Sequence, residues 1–282
     1  MADNASDHQP DKRFKGWLFS GEKSPKVDLD KLDPAAKPFS TGAKETDKAE
    51  TELLAVQLDE LQDRFYADGR RKLLVVLQGM DTSGKDGTVR GVFGRMSPLG
   101  VHVQPYKAPS AEELSYDYLW RIHRHVPRKG YITIFNRSHY EDVLVPVVKG
   151  WIDKDEARQR YQHLNDFERM LFETGTVIVK CMLHISKDEQ RRRLQERLDD
   201  PEKHWKFDPA DLDARSQWDD YQRAYGAALS ATSTPWAPWA VIPADSKTHR
   251  NLMIATLMRD VLEGLDLRFP TPDFDPAKIR IE

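Results

Sequence analysis

Cysteine occurs once in the 282 residues, at Cys181, so no disulfide can close within the chain and no cysteine cluster is on offer to a structural metal. Apolar runs are short. None approaches the ~18 residues of a membrane span, and the N-terminal MADNASDHQPDKRFKG lacks the apolar core of a secretory leader. Excess charge is missing too: 43 Lys and Arg stand against 46 Asp and Glu, a net charge of -3, which argues against a general nucleic-acid binder. Histidines 102, 123, 125, 139, 163 and 184 have no zinc-site spacing to Cys181 or to one another. These absences predict a cytoplasmic protein that engages neither membrane nor nucleic acid, with any anion site confined to a local basic pocket. Stability must come from the core, and a chain of this length hides roughly three quarters of the surface its unfolded state exposes.

What the chain does contain is a regular alternation. From Thr46 to Arg71 the apolar residues Leu54, Leu58, Leu61 and Phe65 recur at spacings of four, three and four, one stripe of an amphipathic helix. Leu73 to Leu77 (LLVVL) then reads as a parallel strand buried on both faces. Further strands are predicted at Val101 to Val103, Tyr131 to Phe135, Thr176 to Ile185 and Trp239 to Ile242. Helices are predicted near Thr88 to Met96, Ala111 to His125, Ser138 to Val148, Asp155 to Glu173, Lys187 to Leu198, Ala210 to Ala231 and Lys247 to Leu265. Strands alternating with helices give an α/β fold, a parallel sheet wrapped by helices. No repeat and no Gly/Ser or Pro-rich linker divides the middle. We therefore expect an N-terminal arm over 1–45, partly docked through Phe14, Trp17, Leu18 and Phe19, one domain over 46–270, and a tail over 271–282. Trp151, Trp205, Trp218, Trp236 and Trp239 read as core or lid packing rather than base-stacking platforms.

The chemistry concentrates in two segments that follow strands. Gly79, Met80, Asp81, Thr82, Ser83, Gly84, Lys85, Asp86, Gly87 and Thr88 leave the first long strand and open a helix, where a glycine-rich turn aims backbone N–H groups at phosphate oxygens and Lys85 reaches the phosphates. The spacing from Gly79 to Gly84-Lys85 is that of a phosphate loop, but the hydroxyl residue that normally follows the lysine is Asp86. Magnesium then needs another holder, and Asp81 is a hard oxygen ligand inside the loop. The bland reading is an ordinary strand-to-helix turn with a surface lysine. Asn136-Arg137-Ser138-His139-Tyr140-Glu141-Asp142 leaves the next strand at the same sheet edge. A phosphate-loop enzyme often places a magnesium-linked Asp at that strand end. Here the position is Asn136, with Glu141 and Asp142 about a helical turn beyond, unless Ser138 and Glu141 merely form a capping box.

Two basic stretches complete the set. Arg193 and Arg197, at i and i+4, share a helix face leading into Lys203, Trp205 and Lys206. Alone this reads as a solvated face; beside a phosphate loop it reads as a lid, about 187–210, that closes cations over transferring phosphates. Arg121, His123, Arg124, His125, Arg128 and Lys129 form the densest basic patch, part of it complementing a helix C-terminus and the rest available to a polyanion.

Together these segments resemble the family-2 polyphosphate kinases. GMDTSGKDGT resembles the family's phosphate loop, PSAEELSYDYLWRIH its following helix, FNRSHYEDVLV its second acidic motif, KHWKFDPADLDARSQWDDYQRAY its lid and post-lid helix, and WAPWAVIPADSK its last strand, in order from about Trp17 to Glu263. The resemblance implies a three-layer α/β/α phosphate-loop kinase fold with a helical lid, Mg²⁺ with Mn²⁺ as a substitute, and phosphoryl transfer between inorganic polyphosphate and adenine or guanine nucleotides. It also implies a homo-oligomer, dimer or tetramer. The family commonly reads Asp-Arg-Ser-Trp-Tyr-Asn-Arg after the second strand, whereas this chain carries Asn136, His139, Glu141 and Asp142. That form resembles the subgroup acting on both mono- and diphosphates, which implies AMP to ADP to ATP on one enzyme. It bars the family's Asp role from position 136, so Asp81, with Glu141 or Asp142, is expected to hold the metal.

In this reading Lys85 and the loop hold phosphates, Arg137, Arg193 and Arg197 neutralise charge on the equatorial oxygens, and Lys203 and Lys206 close from the lid. A track for the polyanion is expected along Arg90, Lys107, Arg121 and Arg124. The same parts in an ATP-dependent nucleotide kinase are the first rival. A non-catalytic nucleotide or polyanion binder is the second, which leaves Asp81, Glu141 and Asp142 without a purpose.

Overall fold

Alternate residues of the strand Leu73–Leu77 bury in two different cores, which is why the run is apolar without a break. Leu74 and Val76 enter one core and Leu73, Val75 and Leu77 the other, all at 0% exposure. The computed structural model describes residues 11–20 and 25–281; the rest of the expected arm (1–10 and 21–24) and Glu282 of the expected tail lie outside the described residues.

In chain order the elements are β1 (Leu18–Phe19), α1 (Lys44–Asp68), β2 (Lys72–Gln78), α2 (Lys85–Phe93), β3 (Val101–Pro105), α3 (Ala111–Leu114), α4 (Trp120–His123), β4 (Ile132–Asn136), α5 (Glu141–Val148), α6 (Lys154–Glu173), β5 (Thr176–His184), α7 (Lys187–Asp199), α8 (Ala210–Ser216), α9 (Trp218–Thr232), β6 (Trp239–Pro243) and α10 (Lys247–Glu263), with a 3-10 turn at Pro201–Lys206 between α7 and α8. Among the described residues six strands run β1-β6-β5-β2-β4-β3, all parallel except β1, which pairs antiparallel with β6. One face is covered by α5, α6 and α9 and the other by α1, α2 and α10. This is a three-layer α/β/α sandwich.

From β2 the chain crosses to β3 and back to β4, then moves to the opposite side for β5 and β6, so the order reverses around β2. Ligands bind at such a reversal, outside the carboxyl ends of the strands. The segments 79–88 and 136–142 both emerge there.

The structure departs from the sequence reading where short polar side chains compete for backbone groups. The single helix expected over 111–125 is two one-turn pieces: Ser115 Oγ donates to the Glu112 carbonyl at 2.7 Å and Asp117 accepts from the Leu119 amide at 2.9 Å, diverting the chain between them. The helix expected over 210–231 breaks at Gln217, where Ser216 Oγ bonds the Asp213 carbonyl at 2.7 Å. β1, two residues long, carries no periodicity to read. It extends the sheet through Leu18 opposite Ala240 and Phe19 opposite Trp239.

The arm's anchor is Phe14, at 2% exposure, whose ring meets that of Phe39 with centroids 4.6 Å apart. Removing that ring should leave a cavity that the single two-residue strand beside it cannot close. Phe14→Ala is therefore expected to lower stability by about 3 kcal/mol in denaturant unfolding; a loss below about 1 kcal/mol would show that Phe14 does not anchor the arm.

Candidate active site

Gly79 begins the loop because no side chain fits there: a Cβ would lie 2.6 Å from the Leu183 carbonyl oxygen. Gly84 is fixed by its backbone, at a left-handed φ of 104° that L side chains rarely adopt, with Nη1 of Arg250 lying 1.9 Å from where a Cβ would stand. Thr82 also adopts a left-handed φ of 63°. Between these points the backbone curls around the N-terminus of α2 and leaves the hydroxyls of Thr82, Ser83 and Thr88 buried without a partner. Buried hydroxyls beside the N–H groups of a helix start are what an oxyanion would satisfy.

Lys85 opens α2, and its Nζ donates to the carbonyls of Gly79 at 2.8 Å and Met80 at 3.3 Å. Burial, reinforced by the Arg137 guanidinium, pushes its ammonium down to about 8. The loop is braced from below by two further buried arginines. Arg193 donates to the carbonyls of Thr82 at 2.9 Å, Ser83 at 3.2 Å, Ala244 at 2.6 Å and Asp245 at 2.9 Å, and pairs with Glu189 at 2.6 Å. Arg250 reaches the Ser83 carbonyl at 3.3 Å, and burial beside Arg193 pushes it down to about 9.

Position 136 and the loop after it form the opposite wall. Asn136 Nδ2 donates to Asp86 Oδ1 at 2.7 Å, so the amide holds the very carboxylate that replaces the usual loop hydroxyl. Arg137, at φ 63°, lies between two acids, bonded to Asp81 through Nη2 and to Glu141 at 3.4 Å through Nη1. Glu141 holds Arg137 well above its already high range, with Asp81 adding to the effect. Burial tends to raise the Asp81 carboxyl, but Arg137 and Lys85 outweigh it and keep it below the ordinary value. The capping-box reading of Ser138 and Glu141 does not hold: Ser138 Oγ accepts from the Tyr140 amide at 3.2 Å, while Glu141 turns to Arg137.

Asp211, on α8, joins this cluster and was not singled out in the sequence. It lies beside Asp81 and pairs with Arg197 at 3.1 Å, and burial together with the Asp81 charge raises it to about 6. Arg197 also donates to the Lys206 carbonyl at 2.8 Å, which ties α7 to the turn beyond it.

Several expected residues stand elsewhere. Arg193 faces the loop's own carbonyls rather than open space, because five protein acceptors surround its guanidinium. Asp142 does not complete a metal trio with Asp81 and Glu141: it pairs with Arg121 at 3.3 Å, and among the described residues no three acidic, His or Cys side chains converge as ligands. Arg121 is buried, bonded also to the Lys107 carbonyl at 2.9 Å, so it is not an open cation for a polyanion track. Arg124 rests on the Trp120 ring at 4.9 Å, whereas Arg90 and Lys107 are exposed. Lys203 is half-exposed and pairs with Asp200 at 2.7 Å, and Lys206 lies over the ring of Trp205, itself 79% exposed. Trp151 is also exposed, unlike Trp218 and Trp239.

The donor set suits a hard divalent cation that takes one or two carboxylates and draws its remaining ligands from phosphate and water. Asp81 in the loop and Glu141 at the start of α5, on either side of Arg137, fit that demand.

Comparison with known proteins agrees with this geometry. The family model described as polyphosphate kinase 2 matches residues 41–269. The AMP/ADP-polyphosphate phosphotransferase of Meiothermus ruber is 48% identical over 97% of this chain and 98% of its own length. The ADP-polyphosphate phosphotransferase of Rhodopseudomonas palustris is 41% identical over 92% of this chain and 93% of its own. The crystal structure of polyphosphate kinase 2 from Arthrobacter aurescens TC1 superposes with a TM-score of 0.90 at 45% identity, covering 97% of each chain.

The depressed ammonium of Lys85 makes anion binding pH-dependent, and the sign follows from linkage. Above about pH 8 the empty site has released this proton, and an arriving phosphate favours the charged form, so binding there takes the proton back up. Calorimetric titration with inorganic tripolyphosphate at pH 9, in two buffers of different ionisation enthalpy, should show wild type taking up most of a proton more than Lys85→Met. Equal proton uptake by the two would remove Lys85 from the anion site.

Proposed function

Since the chain belongs to the polyphosphate kinase 2 family, we propose that it transfers phosphoryl groups reversibly between inorganic polyphosphate and nucleotides, phosphorylating AMP to ADP and ADP to ATP. The observation that carries this reading is the meeting, at one sheet edge, of a phosphate loop with three unpartnered buried hydroxyls and the Arg137 cluster with its two acids. Phosphoryl transfer asks a protein for positioning and charge stabilisation, and this edge supplies both.

In the proposed reaction the loop amides and hydroxyls bind the phosphates around the transferred group. Lys85 leaves the carbonyls of Gly79 and Met80 to pair with phosphate oxygens. Arg137 faces charge that grows on the equatorial oxygens, held in place by Asp81 and Glu141. Arg193 and Arg250 stay beneath the loop and keep its shape. Arg197, through Asp211 and the Lys206 carbonyl, fixes how α7 and α8 sit over the loop, and Lys203 and Lys206 lie on the turn between them.

Magnesium, held by Asp81 with Glu141 and by phosphate oxygens, would neutralise negative charge on the transferring group. We place the protein in the cytoplasm as a homo-oligomer using adenine or guanine nucleotides; no helix among the described residues is long and apolar enough to cross a membrane.

Asn136 favours acceptance of both acceptor lengths. A carboxylate there would stand where the amide now meets Asp86 at 2.7 Å, replacing a hydrogen bond by repulsion and adding an anion beside the nucleotide phosphates. Purified protein with Mg²⁺ and polyphosphate as sole donor should make ADP and then ATP from AMP, with GMP and GDP run alongside, and Asn136→Asp should shift the AMP-to-ADP preference in kcat/KM by about tenfold, ~1.4 kcal/mol. Turnover only with ATP as donor would favour an ordinary nucleotide kinase. An unchanged preference in Asn136→Asp would place acceptor choice elsewhere.

A further inference from the structure

The residues between Arg137 and Glu141 do not face solvent. His139 is 0% exposed and Tyr140 1%, and both enter a core that also holds two opposite charges, Glu168 on α6 at 0% and Lys180 on β5 at 1%. Lys180 Nζ donates to Glu168 Oε2 at 2.7 Å, to the Tyr140 hydroxyl at 2.8 Å and to the Thr232 carbonyl at 2.7 Å, so all three of its protons are placed. It also lies over the Trp239 ring at 5.0 Å. Glu168 Oε1 accepts from the Tyr140 hydroxyl at 2.8 Å and contacts His139 Nε2 at 3.1 Å. An ionised carboxylate only accepts, so His139 carries its proton on Nε2, and its Nδ1 is buried with no partner.

Nothing in this cluster reaches the phosphate loop, and a buried ion pair is weak evidence for stability, since apolar residues of similar volume often serve as well. Its geometry suggests another use. It takes hold of two consecutive residues, His139 and Tyr140, in the turn whose ends present Arg137 and Glu141, and it fixes them to β5, α6 and the end of α9. Arg137 adopts a left-handed backbone that a non-glycine residue keeps only when its surroundings over-determine it.

We infer that His139, Tyr140, Glu168 and Lys180 form a positioning element for Arg137 and Glu141, holding them in register with the phosphate loop from a charged lock beneath the turn. The inference rests on the polyphosphate-transfer reading for its kinetic consequence, while the order of the turn is measurable without turnover. Removing one charge alone leaves the other uncompensated and threatens the fold. The test therefore uses Glu168→Leu with Lys180→Met in one chain, and separately His139→Phe against His139→Gln, whose amide nitrogen supplies a donor near the place of Nε2.

We expect the charge-free double variant and His139→Phe to stay folded, to lose kcat for ADP phosphorylation by about tenfold or more with nucleotide KM within about threefold, and to exchange the amide hydrogens of 139–143 faster. His139→Gln should recover kcat to within about threefold of wild type and restore the slow exchange. Folded variants with wild-type kcat and unaltered exchange would overturn the inference, as would equal loss in His139→Phe and His139→Gln. Should the double variant not fold, the His139 pair decides the matter. An inactive wild type would instead contradict the functional reading, and the exchange comparison would still decide this one.

Discussion

The site is organised by the guanidinium of Arg137 bridging two carboxylates, Asp81 from the phosphate loop and Glu141 from the start of α5. A pocket for polyanions needs cations in a place poor in water, and such cations are costly to bury unpaired. The two acids compensate Arg137, and in the proposed reaction the same carboxylates would hold a divalent cation. One interaction therefore joins the segments leaving β2 and β4, sets the spacing between them, and gives Asp81 a lowered affinity for protons despite its burial.

Support for that bridge comes from both sides of the sheet edge. Beneath the loop, Arg193 and Arg250 both donate to the Ser83 carbonyl, while the hydroxyls of Thr82, Ser83 and Thr88 stay without protein partners. Residue 84 is glycine because its φ of 104° strains any L side chain, and the Arg250 guanidinium packs against the space beside it. Asp211 lies beside Asp81, and Arg197 links α8 back to α7, so the basic end of α7 is coupled to the same acids. The loop, the second strand end and the α7–α8 segment are thus joined by one chain of ion pairs.

Much of this was legible in the sequence. The run LLVVL, the spacing of Gly79 and Lys85, and the polar segment after YITIF were sufficient to bring the two segments to one carboxyl edge of a parallel sheet. Family membership and the three-layer fold agree with that reading. What was hidden depended on distant partners. The i and i+4 spacing of Arg193 and Arg197 could not disclose that one is enclosed by backbone carbonyls while the other meets Asp211. Asp142 and Arg121 looked like a ligand and a surface cation, yet they neutralise each other. Arg250 gave no local signal at all, because its role is fixed by a loop 167 residues away. The breaks at 115–117 and at Gln217 were decided by hydroxyl and carboxylate side chains competing for the backbone, which apolar periodicity cannot register.

The most direct test of the Arg137 bridge is phosphoryl transfer from polyphosphate to ADP by Arg137→Ala, measured beside its thermal unfolding. If the bridge organises the site, kcat should fall by about a hundredfold or more, ~2.7 kcal/mol, while the fold persists, since the side chain lies at the open edge and not in either core. A folded Arg137→Ala protein that keeps kcat within about tenfold of wild type would contradict the account.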